Sequence, residues 1–224
     1  MTRRRLRVTF SQTGDLRFLS HLDLVTLWQR ALRRAGVPVL YSQGFNPQPR
    51  LAFAAALPVG HIGWKEAFDV WLEDGWSPEQ FAKAMVCQLP AGVDLREVWE
   101  VPLDAPSLQS QVVAAQHRVW IPCDEGEEAL QDRLRSLLAQ TTLTWKRTRR
   151  GREETFDLRP LVLEMRLEGC TGGLCTFWMR LRAGQRGSLR PEDVVRALTL
   201  PEPERIERLA LELSERGSHE GALL

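Results

Sequence analysis

Ser20-His21-Leu22-Asp23 places a hydroxyl, an imidazole and a carboxylate within one turn of chain. An imidazole titrates near neutral pH. Metal-free cleavage of RNA by acid–base catalysis asks for two such positioned groups, or one together with a lysine or tyrosine. His61 lies in a glycine-containing loop, His117 at the start of a strand pattern and His219 near the end of the chain, so none repeats the setting of His21. The chain has a single tyrosine, Tyr41. His21 and Tyr41 are therefore the candidate catalytic groups. A plainer reading competes: Ser20 suits a helix N-cap, and Asp23 stands three residues on, as in a capping box. On that reading the protein has no catalysis of its own, and the plainer reading is the one adopted.

Positive charge is unevenly placed. Residues 1–34 hold eight Arg (Arg3, Arg4, Arg5, Arg7, Arg17, Arg30, Arg33 and Arg34) against two Asp, although the whole chain carries a formal charge of only +1. Guanidinium groups fork onto phosphate oxygens, so this segment reads as a phosphate-binding face or, alternatively, as a solvated helix face. A second basic stretch, WKRTRRGR, holds Trp145, Lys146, Arg147, Arg149, Arg150 and Arg152 at the expected tip of a hairpin. There the arginines would take phosphates and the tryptophan would stack on a base. A hairpin kept soluble by its charges, with Trp145 in the core, is the alternative.

Between the two lies YSQGFNPQPRLAFAAALPVG, residues 41–60. Asn46 and Gln48 each precede a proline, Pro47 and Pro49, and are held extended by it. Gly44 suits a positive φ. Tyr41, Ser42, Phe45 and Arg50 complete a stiff, polar corner. Preorganisation of this kind lowers the ordering cost of binding, and the corner is read as presenting a surface to RNA or to a partner protein.

These residues need elements to position them. Leu6–Phe10 alternates with period two, as a strand does. Ser20 opens a helix whose apolar positions run from Leu24 to Ala35, closed by Gly36 and Pro38. Leu51–Leu57 and Glu66–Glu73 read as strands, Ser77-Pro78-Glu79 starts a helix reaching about Leu89, and Leu95–Val101 reads as a strand. After the linker at 102–114, the pattern returns: a strand at His117–Ile121, a helix at Glu127–Leu138, strands at Leu143–Arg149, Leu161–Leu167 and Leu174–Arg182, a helix at Pro191–Leu198 and a strand at Ile206–Leu213. The order βαββαβ, twice, predicts an α+β protein of two ferredoxin-like units in tandem, antiparallel sheets with helices on one face. The units are set at residues 1–101 and 115–214, with 215–224 as a frayed tail.

Composition is that of a globular protein, 43% hydrophobic and 26% charged over 224 residues. No apolar run reaches the roughly 20 residues of a membrane helix, and MTRRRLRVTF lacks the apolar core of a signal peptide. A cytoplasmic protein with no membrane partner is expected. Cys170 and Cys175 flank TGGL and could meet across a hairpin, but the spacing fits no zinc knuckle, and reduced thiols are expected. There is no P-loop, GxGxxG, CxxxCxxC or HExxH, so neither a metal nor a cofactor is expected.

The stretch FLSHLDLVTLWQRALRRAGVPVLYSQGFNPQPRLAFAAALPVG closely resembles the radical-SAM-linked protein family, whose members are encoded beside, or fused to the C-terminus of, a cobalamin-binding-type radical SAM protein. The shared pattern is SHLD, an Arg-Ala-x-Arg-Arg helix and YSxGFNPxP, over about Leu6–Glu73. The family often has His where this chain has Gln48. The resemblance implies a radical SAM protein as partner and an accessory role. A distant likeness to CRISPR RNA-processing endonucleases, also two ferredoxin-like halves with a basic hairpin, is one of fold. Three functions follow. The first is an accessory module that brings tRNA or rRNA to a radical SAM modification enzyme. The others are a metal-independent endoribonuclease and a protein-only adaptor.

Overall fold

The computed structural model describes residues 3–73, 75–149, 151–185 and 187–214. The expected tail at 215–224 and Arg150 lie outside the described residues, as do the side chains of Arg149 and Arg152. The fold is mixed α+β, with a large, mostly antiparallel sheet and few helices. The chain forms two compact units, one running to Val112 and resuming at Ala210, the other Val113–Leu209.

In the first unit, β1 (Arg4–Gln12) lies between β3 (Ile62–Leu72) and β4 (Val93–Val101), antiparallel to both. The short β2 (Leu51–Phe53) pairs antiparallel with the far side of β3. α1 (His21–Arg34) follows β1, and α2 (Pro78–Val86) follows β3. Ser20 caps α1 by accepting the Asp23 N–H. Ser77 and Gln80 close a full capping box on α2, with proline at its first position. Both helices bury their apolar stripes in one cluster with the inward side of the strands: Trp28 meets Phe10 and Phe68 at centroid distances of 5.0 and 4.6 Å.

The other side of β1 departs from the sequence expectation. Its alternation predicts one wet face, yet Arg5, Arg7 and Thr9 are buried. Residues 105–111, which include the short helix α3 (Leu108–Gln111), lie over that face and supply acceptors to it. Arg5 and Arg7 therefore do not belong to an exposed phosphate-binding face. The strand expected at Leu51–Leu57 ends at Phe53, because the chain turns away through Ala54 and Ala55 before Pro58.

In the second unit, β5 (Val112–Pro122) pairs antiparallel with β9 (Leu174–Arg182), which pairs in turn with β8 (Val162–Thr171). α4 (Glu127–Ala139), α5 (Pro191–Ala197) and β10 (Arg205–Leu213) complete it, with a separate hairpin of β6 (Thr144–Arg149) and β7 (Arg152–Asp157). Leu130, Leu134 and Leu137 of α4 and Val194 and Val195 of α5 share a core with Phe177, Met179 and Leu181 of β9. Cys170 and Cys175 face each other directly across β8 and β9 and form a disulfide. This corrects the expectation of two reduced thiols: the TGGL turn brings opposite residues of an antiparallel pair within bonding reach.

Candidate nucleic-acid interface

Arginines that sequence alone cannot separate fall into two groups. The first group is neutralised. Asp69, fully buried, accepts four hydrogen bonds: from Arg5 Nε at 3.0 Å and Nη2 at 2.6 Å, and from Arg7 Nε at 2.8 Å and Nη2 at 3.1 Å. Arg5 also donates to the carbonyls of Ala105 and Pro106, and Arg7 to Gln111 Oε1. Arg4 pairs with Glu100. These cations are structural.

The second group is free of carboxylates. Among the described residues, no Asp or Glu pairs with Arg17, Arg30, Arg33, Arg34 or Arg50. Arg30 and Arg33 stand exposed on α1, the helix their spacing projects them from. Arg34 reaches across to α2's end, donating to the carbonyl of Gln88 at 2.7 Å. With Asp23, Thr26 and Leu27, Arg30 and Arg34 line an open groove of about 600 Å³ against Cys87–Pro90. Arg17 lies over the exposed ring of Phe18 at 4.7 Å, and Arg50 over Trp71 at 4.4 Å. A sequence signal for this face exists beyond the arginine count: no Asp or Glu occurs between Asp23 and Glu66. Acid depletion over so long a segment leaves the cations of α1 and the corner without local partners.

The corner adjoins α1. Gln29 Nε2 approaches Gln48 Oε1 at 3.4 Å. The corner is a narrow hairpin in its own right. Arg50 N–H donates to Leu40 O at 2.8 Å and Ser42 N–H to Gln48 O at 2.8 Å, while Gln48 N–H donates to the Ser42 hydroxyl at 3.0 Å. Gln48 Nε2 donates to Asn46 Oδ1 at 3.2 Å, and Tyr41 bridges Pro49. Gly44 takes a φ of 138° with open space around it, as its place in the motif requires. Residues 41–48 are all exposed, with Tyr41 half-exposed and Phe45 wholly so.

The proposed catalytic pair is not assembled. The His21 ring meets Phe53 edge-on at 5.4 Å, and among the described residues no hydrogen bond joins it to Tyr41. Ser20 donates to Asp23 Oδ2 at 2.7 Å, which engages both in capping. His61 and His117 are buried.

The basic hairpin is a charge ladder. Its register sets Arg147 opposite Glu154 and Thr148 opposite Glu153. Lys146 pairs with Glu153 at 3.6 Å, and Arg147 with Glu154 at 3.1 Å and with Asp193 at 3.6 Å. Glu153 and Glu154, which follow the tip in sequence, fold back onto Lys146 and Arg147. Trp145 is half-buried and packs on the core. Trp145, Lys146 and Arg147 line a cleft of about 360 Å³ together with Arg190, Asp193 and Arg196. A hydrogen bond from Arg196 to Glu202 raises the arginine's pKa further above its ordinary value, so it stays charged throughout. Among the described residues no three His, Cys, Asp or Glu side chains are grouped to hold a metal ion, and no helix is long and apolar enough to cross a membrane.

The chain is thus an α+β protein in which, among the described residues, the exposed arginines of α1 form no ion pair and stand beside a rigid, exposed corner. It belongs to the family described as "Uncharacterized protein conserved in bacteria (DUF2344)", which it matches over residues 5–191. No curated protein matches it. Among solved structures it is similar to a chain of a Cbf5-Nop10-Gar1 complex, at 10% identity and a TM-score of 0.53, covering 92% of this chain and 48% of that one. A chain of the archaeal box H/ACA sRNP Nop10-Cbf5 complex matches at 10% identity and a TM-score of 0.46, covering 96% and 50%. The protein spans about half the length of these chains, and the likeness to the first is one of fold.

Proposed function

We propose that the protein is an RNA-binding accessory module, working in the cytoplasm with a radical SAM enzyme in the modification of tRNA or rRNA. The observation that carries the RNA reading is the second group of arginines. Arg30, Arg33 and Arg50 are exposed, unpaired by carboxylates, and set on a capped helix and a stiff corner that touch each other. Cations left unneutralised by the protein's own acids bind a polyanion with release of its counterions. The radical SAM partner rests on the motif resemblance, SHLD through YSxGFNPxP, which the family match overlaps.

The two ferredoxin-like units are part of this reading. In the first unit the strand order β4-β1-β3-β2, with helices after the first and third strands, supports it. In the second, β10-β5-β9-β8 repeats it, with the β6–β7 hairpin inserted after the first helix. The hairpin, in which Lys146 and Arg147 already hold acids, contributes less to RNA than α1 and the corner.

The test is a fluorescence-anisotropy titration of tRNA and rRNA fragments across a salt series. Replacing Arg30, Arg33 and Arg50 together by Gln lowers the slope of log K against log salt by between about 2 and 3, at about 0.7–0.9 per lost phosphate contact. Lys146→Gln leaves it almost unchanged. Equal slopes for the wild type and the triple variant would end the proposal.

A further inference from the structure

We infer that the corner reads unpaired nucleotides: Phe45 and Tyr41 stack on bases held outside a duplex, while Arg33 and Arg50 take the adjoining phosphates. The inference rests on the RNA reading above and names the kind of RNA.

Phe45 is the most exposed large apolar side chain described in the protein, at the tip of a segment exposed from Tyr41 to Gln48. An isolated exposed phenylalanine on a mobile loop would say little. This one stands on a loop fixed by the Ser42–Gln48 and Asn46–Gln48 hydrogen bonds and by Pro47 and Pro49. The loop has already met the ordering cost of binding, so its aromatic tip is poised for a partner surface.

The chemistry around the tip selects that surface. Gln43, Asn46 and Gln48 offer amide donors and acceptors suited to base edges, Arg50 follows them, and the segment from Tyr41 to Arg50 has no carboxylate. Arg33 lies one helical turn beyond Gln29, the residue that touches Gln48. Aromatic, amide and guanidinium groups together are the set that binds splayed-out bases and their backbone. A base inside an A-form duplex has both π-faces covered, and the deep, narrow major groove excludes side chains. Only an unpaired loop, bulge or strand end exposes a face to Phe45.

The experiment uses the full-length protein and three labelled RNAs of related sequence: a single strand of about 12 nucleotides, a hairpin with an unpaired loop, and a blunt duplex. The expected result is that the single strand and the loop bind at least about tenfold more tightly than the duplex. Phe45→Ala then lowers affinity for the first two by about 5- to 100-fold, and leaves the duplex affinity and the salt slope unchanged. Phe45→Trp restores binding. Quenching of 2-aminopurine in the single strand disappears with Phe45→Ala. Because the Phe45 ring touches no core residue, the variant keeps the wild-type circular dichroism spectrum. If Phe45→Ala binds all three RNAs like the wild type while the Arg30/Arg33/Arg50 variant loses them, the stacking inference falls and the RNA reading stands. If the wild type binds none of the three at low salt, both fall, and a protein partner for the tip takes their place.

Discussion

Replacing Asp69 by asparagine tests whether the buried charge cluster organises the first unit. The carboxylate is fully buried between two guanidinium groups that are only 2% and 1% exposed. Asp69→Asn keeps the shape but removes the only carboxylate that, among the described residues, pairs with either arginine. Arg5 keeps two acceptors, the carbonyls of Ala105 and Pro106. Arg7 keeps one, Gln111 Oε1 at 3.1 Å. The amide N–H₂ group also turns donors toward donors. Breaking a buried pair by removing one partner costs about 3–5 kcal/mol, and with two cations stranded the expected loss is about 4 kcal/mol. Against a total stability of about 5–15 kcal/mol this is a large share. In urea, with a slope of about 2 kcal/mol per molar, the midpoint falls by about 2 M. Tryptophan fluorescence follows the transition, since Trp28 lies in the core of this unit and Trp71 beside Arg5. Removing all three charges together, as Arg5→Met, Arg7→Leu and Asp69→Leu, recovers most of the loss, because no unpaired charge remains buried. A midpoint shift below about 0.5 M for Asp69→Asn, about 1 kcal/mol at that slope, would refute the reasoning: it would mean that solvent reaches the guanidinium groups.

Other outcomes follow from particular contacts. Trp28 Nε1–H is buried without a hydrogen-bond partner, so Trp28→Phe forfeits packing but no hydrogen bond and destabilises by less than Trp28→Ala, which costs about 3–5 kcal/mol by thermal unfolding. Gly92 has a φ of 93°, and a Cβ there would sit 2.8 Å from Thr13 O; Gly92→Ala lowers stability by more than about 1 kcal/mol, measured the same way. The Ser77 hydroxyl, donating to Glu79, holds that carboxyl below its ordinary pKa. The interaction is therefore complete above the ordinary glutamate pKa and is lost as pH falls through the lowered one; an NMR titration of Glu79 shows the depression in the wild type and its loss in Ser77→Ala. Alkylation of the folded protein without reductant modifies exposed Cys87 but neither Cys170 nor Cys175, and mass spectrometry after reduction finds both of the latter.

Much of the fold was legible because its signals are local. The Ser20 and Ser77 caps, the stop at Gly36, the α4 stripe and the strand alternation in β9 depend on residues within a few positions of one another, and those elements stand within a few residues of their sequence-read bounds, whereas β5 starts at Val112, five residues before the expected His117 and inside the expected linker. The positive φ of Gly44 and the stiffness of the corner were equally local, set by a glycine without a Cβ and by two prolines. What sequence could not decide was which charges remain free. Arg5 and Arg7 look like Arg30 and Arg33 in a count, but Asp69 lies more than sixty residues away, and the loop that covers them lies about a hundred residues away. The WKRTRRGR stretch read as a basic tip, but pairing register lays Glu153 and Glu154 against Lys146 and Arg147. Cys170 and Cys175 became a disulfide through the same cross-strand register. Electrostatic partners are chosen by spatial proximity, which only the tertiary structure supplies. The residues that could bind were written in the chain, and the fold determined which of them are left to do so.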